Sequence, residues 1–131
     1  MTPPLDGLGP VVAVEDVLWL QDQAERVRTD ESVLDYVMAL VSASRRSPLL
    51  VLGVSPRGAL ALLRSAKAYA LADGRDYLVP DDVKRLAVPA LSHRVIVRTR
   101  AAGAPDTGRG ESAADAETVI RAIVREVPVP R

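Results

Sequence analysis

The sequence has 131 residues, 48% hydrophobic and 26% charged, which suits one domain with a core of its own. It contains no Cys and no Phe, so disulfides and thiolate metal sites are excluded and the core falls to Leu, Val, Ile and Ala; a reducing, cytoplasmic setting is expected. Net charge is zero but uneven: residues 1–52 hold eight acids and four bases, residues 53–100 four acids and nine bases, and residues 101–131 five acids and four bases.

The opening "MTPPLDGLGP" has neither a basic n-region nor an apolar h-region, so no signal peptide is expected, and no apolar run reaches the length of a membrane span. Residues 1–13 read as an incoming linker rich in turn-formers, and residues 14–131 as one domain. The spacing predicts helices near 14–28, 30–46, 56–72, 80–87 and 113–126, with a loop over 98–112. In the first, Val17, Leu20, Ala24 and Val27 recur at helical spacing. Thr29 offers the cap of the second, with Asp30 and Glu31 in its first turn. That helix is expected to bury Val33, Val37, Leu40 and Val41, with Leu34 and Met38 widening the stripe, and to end at Pro48 with Arg45 and Arg46 in its last turn.

Ser55-Pro56 is a strong helix start, with Ser as cap and Pro at the first helical position, and Gly74 is the expected left-handed residue past the end. Pro80, Asp81 and Asp82 open the next helix after Val79, a poor cap. "HRVIVR" alternates and reads as a short strand for which Tyr77–Val79 offers a partner. The 98–112 loop has Gly, Pro and charge without periodicity. Ser112, with Asp115 three residues on, is expected to cap the last helix, whose apolar face holds Val119, Ile120, Ile123, Val124 and Val127. The fold class is therefore mainly α, a small helical bundle with at most a two-stranded β pairing.

The start of the third helix poses a question. Arg57 sits where the helix N-terminus already carries partial positive charge, and a cation there loses roughly 0.3–1 kcal/mol. Advancing about 100° per residue, Ala59, Leu62, Leu63, Ala66, Tyr69 and Ala70 fall on one face, and Arg57, Ala61, Arg64 and Ala68 on the opposite one. Two readings of that second face stand: a solvated helix back, or a surface that something anionic approaches.

Little else could carry chemistry. His93 is the only histidine, so no metal site built on several histidines is available and no metal is expected; a structural hydrogen bond is its expected role. Asp81 and Asp82 point about 100° apart on a helix and serve its N-terminus. Ser55 has no partner to make it a nucleophile. Aromatics are not interleaved with the basic segment, so nucleic-acid binding is not expected. No "GxxxxGK[ST]" phosphate loop is present.

Taken together, "LGVSPRGALALLRSAKAYALADGRDYLVPDDVKRLAVPALSHRVIV" closely resembles the C-terminal lid of the MoxR family of AAA+ ATPases, where the pattern runs L-G-A-S-P-R, a Leu/Ala-rich helix, G-R-D-Y-V-x-P-x-D-V and H-R. "PLDGLGPV", "EDVLWLQ", "LDYVMALV" and "VPVPR" resemble it too, so nearly the whole chain is covered. Val54 and Val79 depart from the usual Ala and Thr. The resemblance implies that Arg57 is the sensor-two arginine, which reaches nucleotide phosphates bound by a preceding core, with Gly53, Ser55 and Pro56 setting the helix start. Arg64 and Lys67 are candidate lid–core contacts. It also implies a parent that uses ATP and Mg, hydrolyses ATP in a hexameric ring as a chaperone-like remodeller, and works beside von Willebrand A domain proteins. The isolated domain is expected to hold no cofactor and no catalytic residue, and no membrane contact is implied. The alternative from a different class is a stand-alone helical module that presents Arg57, Arg64 and Lys67 to a protein or nucleic acid.

Overall fold

Caps and apolar spacing build five helices among the residues that the computed structural model describes, 7–98 and 115–130: α1 (Val14–Arg26), α2 (Glu31–Arg46), α3 (Pro56–Ala72), α4 (Pro80–Leu91) and α5 (Ala116–Glu126). Two short strands, β1 (Leu50–Leu52) and β2 (Ile96–Val97), pair antiparallel with an irregular register, Leu50 opposite Val97 and Leu52 opposite Ile96. The mainly α bundle expected from the sequence is the fold observed. Its core joins α2, α3, α4 and α5 through Leu40, Val41, Leu62, Val83, Val119 and Ile120, with Val54 from the loop before α3.

α3 begins as the sequence indicates. Ser55 is extended, its hydroxyl accepts the Gly58 N–H at 3.2 Å, and Pro56 follows at the first helical position. The buried line is Gly58, Leu62, Ala66 and Ala70, one residue per turn against α4, with Ala59 and Leu63 partly buried beside it. Tyr69 is only half-buried, and the Arg85 guanidinium lies over its ring at 5.2 Å. At the far end Gly74 has φ +77°, its N–H donates to the Leu71 carbonyl at 2.9 Å, and Arg75 N–H donates to Ala70 at 2.9 Å. That is a Schellman closure, which satisfies the last carbonyls of the helix. Gly74→Ala should therefore cost about 1 kcal/mol from backbone strain alone, since a Cβ there meets no atom within 4 Å. Urea unfolding of the two chains measures it.

Several expectations are corrected. Asp30, not Thr29, caps α2: its carboxylate accepts the Ser32 N–H at 2.9 Å and the Ser32 hydroxyl at 2.6 Å. The chain is held extended up to that point because Arg28 N–H donates to Asp76 and Leu78 N–H donates back to Arg28, and the Thr29 hydroxyl is buried without a partner among the described residues. Leu34 and Met38 stay exposed, and Tyr36 widens the buried stripe on its other side. Along α1, Val17 and Leu20 are 41% and 47% exposed, and no residue of that helix is buried.

Tyr77 does not pair with the strand after His93. It bridges Arg28, and the strand partner is Leu50–Leu52, where Leu50 is buried and Arg98 N–H extends the pairing by donating to Leu49 at 2.8 Å. His93 and Arg94 belong to a 3-10 turn (Ser92–Arg94) rather than to the strand. α4 continues through Pro89 to Leu91, because Leu91 is buried in the core and the Ser92 hydroxyl holds the Val88 carbonyl at 2.7 Å. Asp115 caps α5, accepting the Thr118 N–H at 2.7 Å. Ser112 and the 99–112 stretch expected to be a loop lie outside the described residues.

Candidate functional site

The site is built where α2 ends and α3 begins. Ser44 is buried in the last turns of α2; its hydroxyl donates to Val41 at 2.7 Å and accepts the Val54 N–H at 2.9 Å. Arg45 Nε donates to the Val54 carbonyl at 2.9 Å. Two adjacent side chains thus hold both polar groups of one residue that is itself 0% exposed. Gly53 allows this approach: a Cβ there would lie 2.7–2.8 Å from backbone atoms of Ser44 and Arg45.

Val54 then delivers the chain to Ser55, Pro56 and Arg57. Arg57 is exposed at the second helical position of α3 and makes no ion pair among the described residues. Gly58 admits its neighbours closely, since a Cβ there would lie 2.8 Å from Val54 Cγ1 and 3.6 Å from Arg94 Cδ. The Arg94 stem therefore runs under the first turn of α3, and its Nε is buried without a partner among the described residues. Arg45, Arg57 and Arg94 surround this helix start, and no carboxylate pairs with any of them among the described residues. A helix N-terminus with three nearby guanidiniums is chemically disposed toward an anion.

Arg64 and Lys67 lie apart from this start, along an open groove between α3 and α1 that also takes in Gln21, Ala24, Glu25 and Leu60. Arg64 is exposed, whereas Lys67 Nζ donates to the Glu25 carbonyl at 3.0 Å and ties the two helices together. Sequence reasoning singled out Gly53, Ser55, Pro56 and Arg57 but missed the clamp by Ser44 and Arg45 and the approach of Arg94. The signal was present in the glycines at 53 and 58, each of which marks a close approach. No group of three His, Asp or Glu residues able to hold a metal occurs among the described residues, and no described helix is long and apolar enough to cross a membrane.

Residues 42–122 match the family model of the AAA lid domain. The chain belongs to that family. It is 39% identical over 127 residues to YeaC of Bacillus subtilis, itself uncharacterised, covering 97% of this chain and 37% of that protein. It is 31% identical over 96 residues to Chaperone MoxR1 of Mycobacterium tuberculosis, covering 66% of this chain and 26% of that protein. A crystal structure of a candidate ATPase from Cytophaga hutchinsonii superposes with a TM-score of 0.74 at 28% identity, covering 89% of this lid and 36% of that chain. The lid thus spans little more than a third of these relatives at most, and it is of the MoxR type the sequence motifs resemble.

Proposed function

We propose that this lid works as the nucleotide-sensing element of a MoxR-type ATPase, with Arg57 as its sensor-two arginine. The observation that carries the reading is a guanidinium, unpaired among the described residues, at the second position of a rigidly capped helix, a place that penalises a cation unless an anion is near. ATP supplies a polyphosphate. Arg57 and the orphan N–H groups of the first turn of α3 would meet it, with Gly53, Ser55 and Pro56 aiming the side chain. Mg would be held by the core, since the described residues include no acidic cluster for it.

The apolar residues that α1 leaves exposed, Val14, Val17, Leu18 and Trp19 among them, are the surface we assign to that core, with Arg64 and Lys67 along the adjoining groove. Hydrolysis in a hexameric ring, a chaperone-like remodelling role in the cytoplasm and von Willebrand A partners complete the reading by family analogy. ATP binding to the full-length ATPase should slow exchange of the Arg57 amide; unchanged exchange there would overturn the assignment. This chain alone should bind ATP no more tightly than millimolar, since one exposed arginine contributes about 1.5–3 kcal/mol per charge-assisted hydrogen bond, and the cost of association leaves less than the roughly 4 kcal/mol that such a Kd requires. A micromolar affinity by calorimetry would instead indicate an independent nucleotide site.

A further inference from the structure

We propose that Arg45 is a positioning residue for Arg57: its Nε–H, donated to the Val54 carbonyl, fixes the start of α3 against the end of α2 and so sets where the Arg57 guanidinium lies. This rests on the reading of Arg57 as the phosphate contact. A last-turn arginine would ordinarily be explained by the negative end of its own helix. Here its side chain reaches instead across nine positions to a single carbonyl, next to the amide that Ser44 holds. The Gly53 backbone lies directly on the backbone of Ser44 and Arg45, and the Val54 side chain is buried in the core, so the Arg45 bond fixes the orientation of a peptide that is already seated against the end of α2. Only two residues separate Val54 from Arg57, and both are conformationally stiff, a capping Ser and a Pro. A shift at the Val54 carbonyl is therefore passed to Arg57 with little damping. Misplacing a contact by about 1 Å can cost on the order of 100-fold in rate.

The alternative is that Arg45 acts by its charge, directly on the nucleotide. Two substitutions that keep most of the stem separate these roles. Arg45→Gln keeps an N–H donor the same number of bonds from the backbone as Nε but removes the charge; Arg45→Met removes both. In the full-length ATPase, Arg45→Met should lower turnover at least ten-fold and Arg45→Gln should restore most of it. Adding Arg45→Met to Arg57→Ala should cost nothing further, because the clamp acts through the side chain already lost.

Equal damage from Gln and Met, multiplying effects in the double variant, or wild-type turnover in Arg45→Met would each overturn the proposal. Should Arg57→Ala itself hydrolyse ATP normally, the reading of Arg57 fails, and the clamp is judged on this chain alone. There the Ser55 and Arg57 amides should exchange faster in Arg45→Met than in Arg45→Gln, and equal exchange overturns it.

Discussion

Arg57→Ala in the full-length ATPase should slow steady-state hydrolysis about 100-fold, the scale seen when one preorganised donor to developing charge is removed. The same substitution should leave the unfolding midpoint of this chain unchanged or slightly raised. The side chain is exposed and unpaired among the described residues, and it sits at the end of a helix that disfavours a cation. Loss of rate without loss of stability is what separates a phosphate contact from a structural arginine. Arg57→Lys should recover only part of the rate, because an ammonium keeps the charge and loses the planar fork that can meet two phosphate oxygens. Arg64→Ala, two turns along the same face, is the comparison; it lies on the groove with α1 and should leave chemistry at Arg57 intact. Turnover equal to wild type in Arg57→Ala would return that residue to the ordinary surface.

The start of α3 was legible because every determinant is local. A capping hydroxyl, a proline and a trailing left-handed glycine act within a few residues of where they stand, and Ser55, Pro56 and Gly74 do so here. The exposed face carrying Arg57 followed from helical period alone. What stayed hidden depends on distant chain. The strand beginning at Ile96 could not reveal whether Tyr77 or Leu50 would take its edge, since both neighbourhoods are apolar and extended. The cap of α2 moved by one residue because the Arg28 backbone is tied to Asp76 and Leu78, a constraint invisible at Thr29. The apolar spacing of α1 does not translate into burial: among the described residues nothing fully covers Val17 and Leu20. An apolar stripe marks a face suited to burial but does not say what covers it. The clamp at Val54 was missed for the same reason, as Ser44 and Arg45 look like an ordinary helix end until Gly53 brings the loop onto them.

A large loss of stability should come from Asp82→Ala, about 3 kcal/mol and roughly a 10 °C fall in Tm. Asp82 is 3% exposed, and the Arg75 guanidinium meets both its oxygens, Nη2 to Oδ1 at 2.6 Å and Nη1 to Oδ2 at 2.8 Å. The same carboxylate accepts the Val79 N–H at 3.0 Å, the reciprocal half of a capping box whose other half Val79, lacking a side-chain acceptor, does not supply. Removing it strands a mostly buried guanidinium and opens the first turn of α4 together. Arg75 keeps some compensation from Asp73 at 3.2 Å and from solvent, its side chain being 20% exposed, which holds the loss to the lower end for a broken buried pair.

Acid supplies an independent check on the same residue. Burial by itself would raise the Asp82 carboxyl, but hydrogen bonds from Arg75 and Val79 and the charges of Arg75 and Arg85 outweigh it and hold the group below its ordinary value. A carboxylate depressed in the folded state contributes its full stability above the unfolded pKa of about 3.9 and loses it as pH falls through the lower folded value. Wild-type stability should therefore fall from about pH 5 downward. Asp30 and Asp115, also depressed by their capping hydrogen bonds, add to that fall in any variant that keeps them. Asp82→Asn retains the shape and an acceptor for Val79 but cannot titrate, so its curve should be flatter by the share that Asp82 contributes. Urea unfolding of the two chains between pH 7 and pH 2 should give lines that approach each other in acid. Parallel lines would mean that the Arg75–Asp82 pair adds nothing through its charge, and that packing alone holds the turn between α3 and α4.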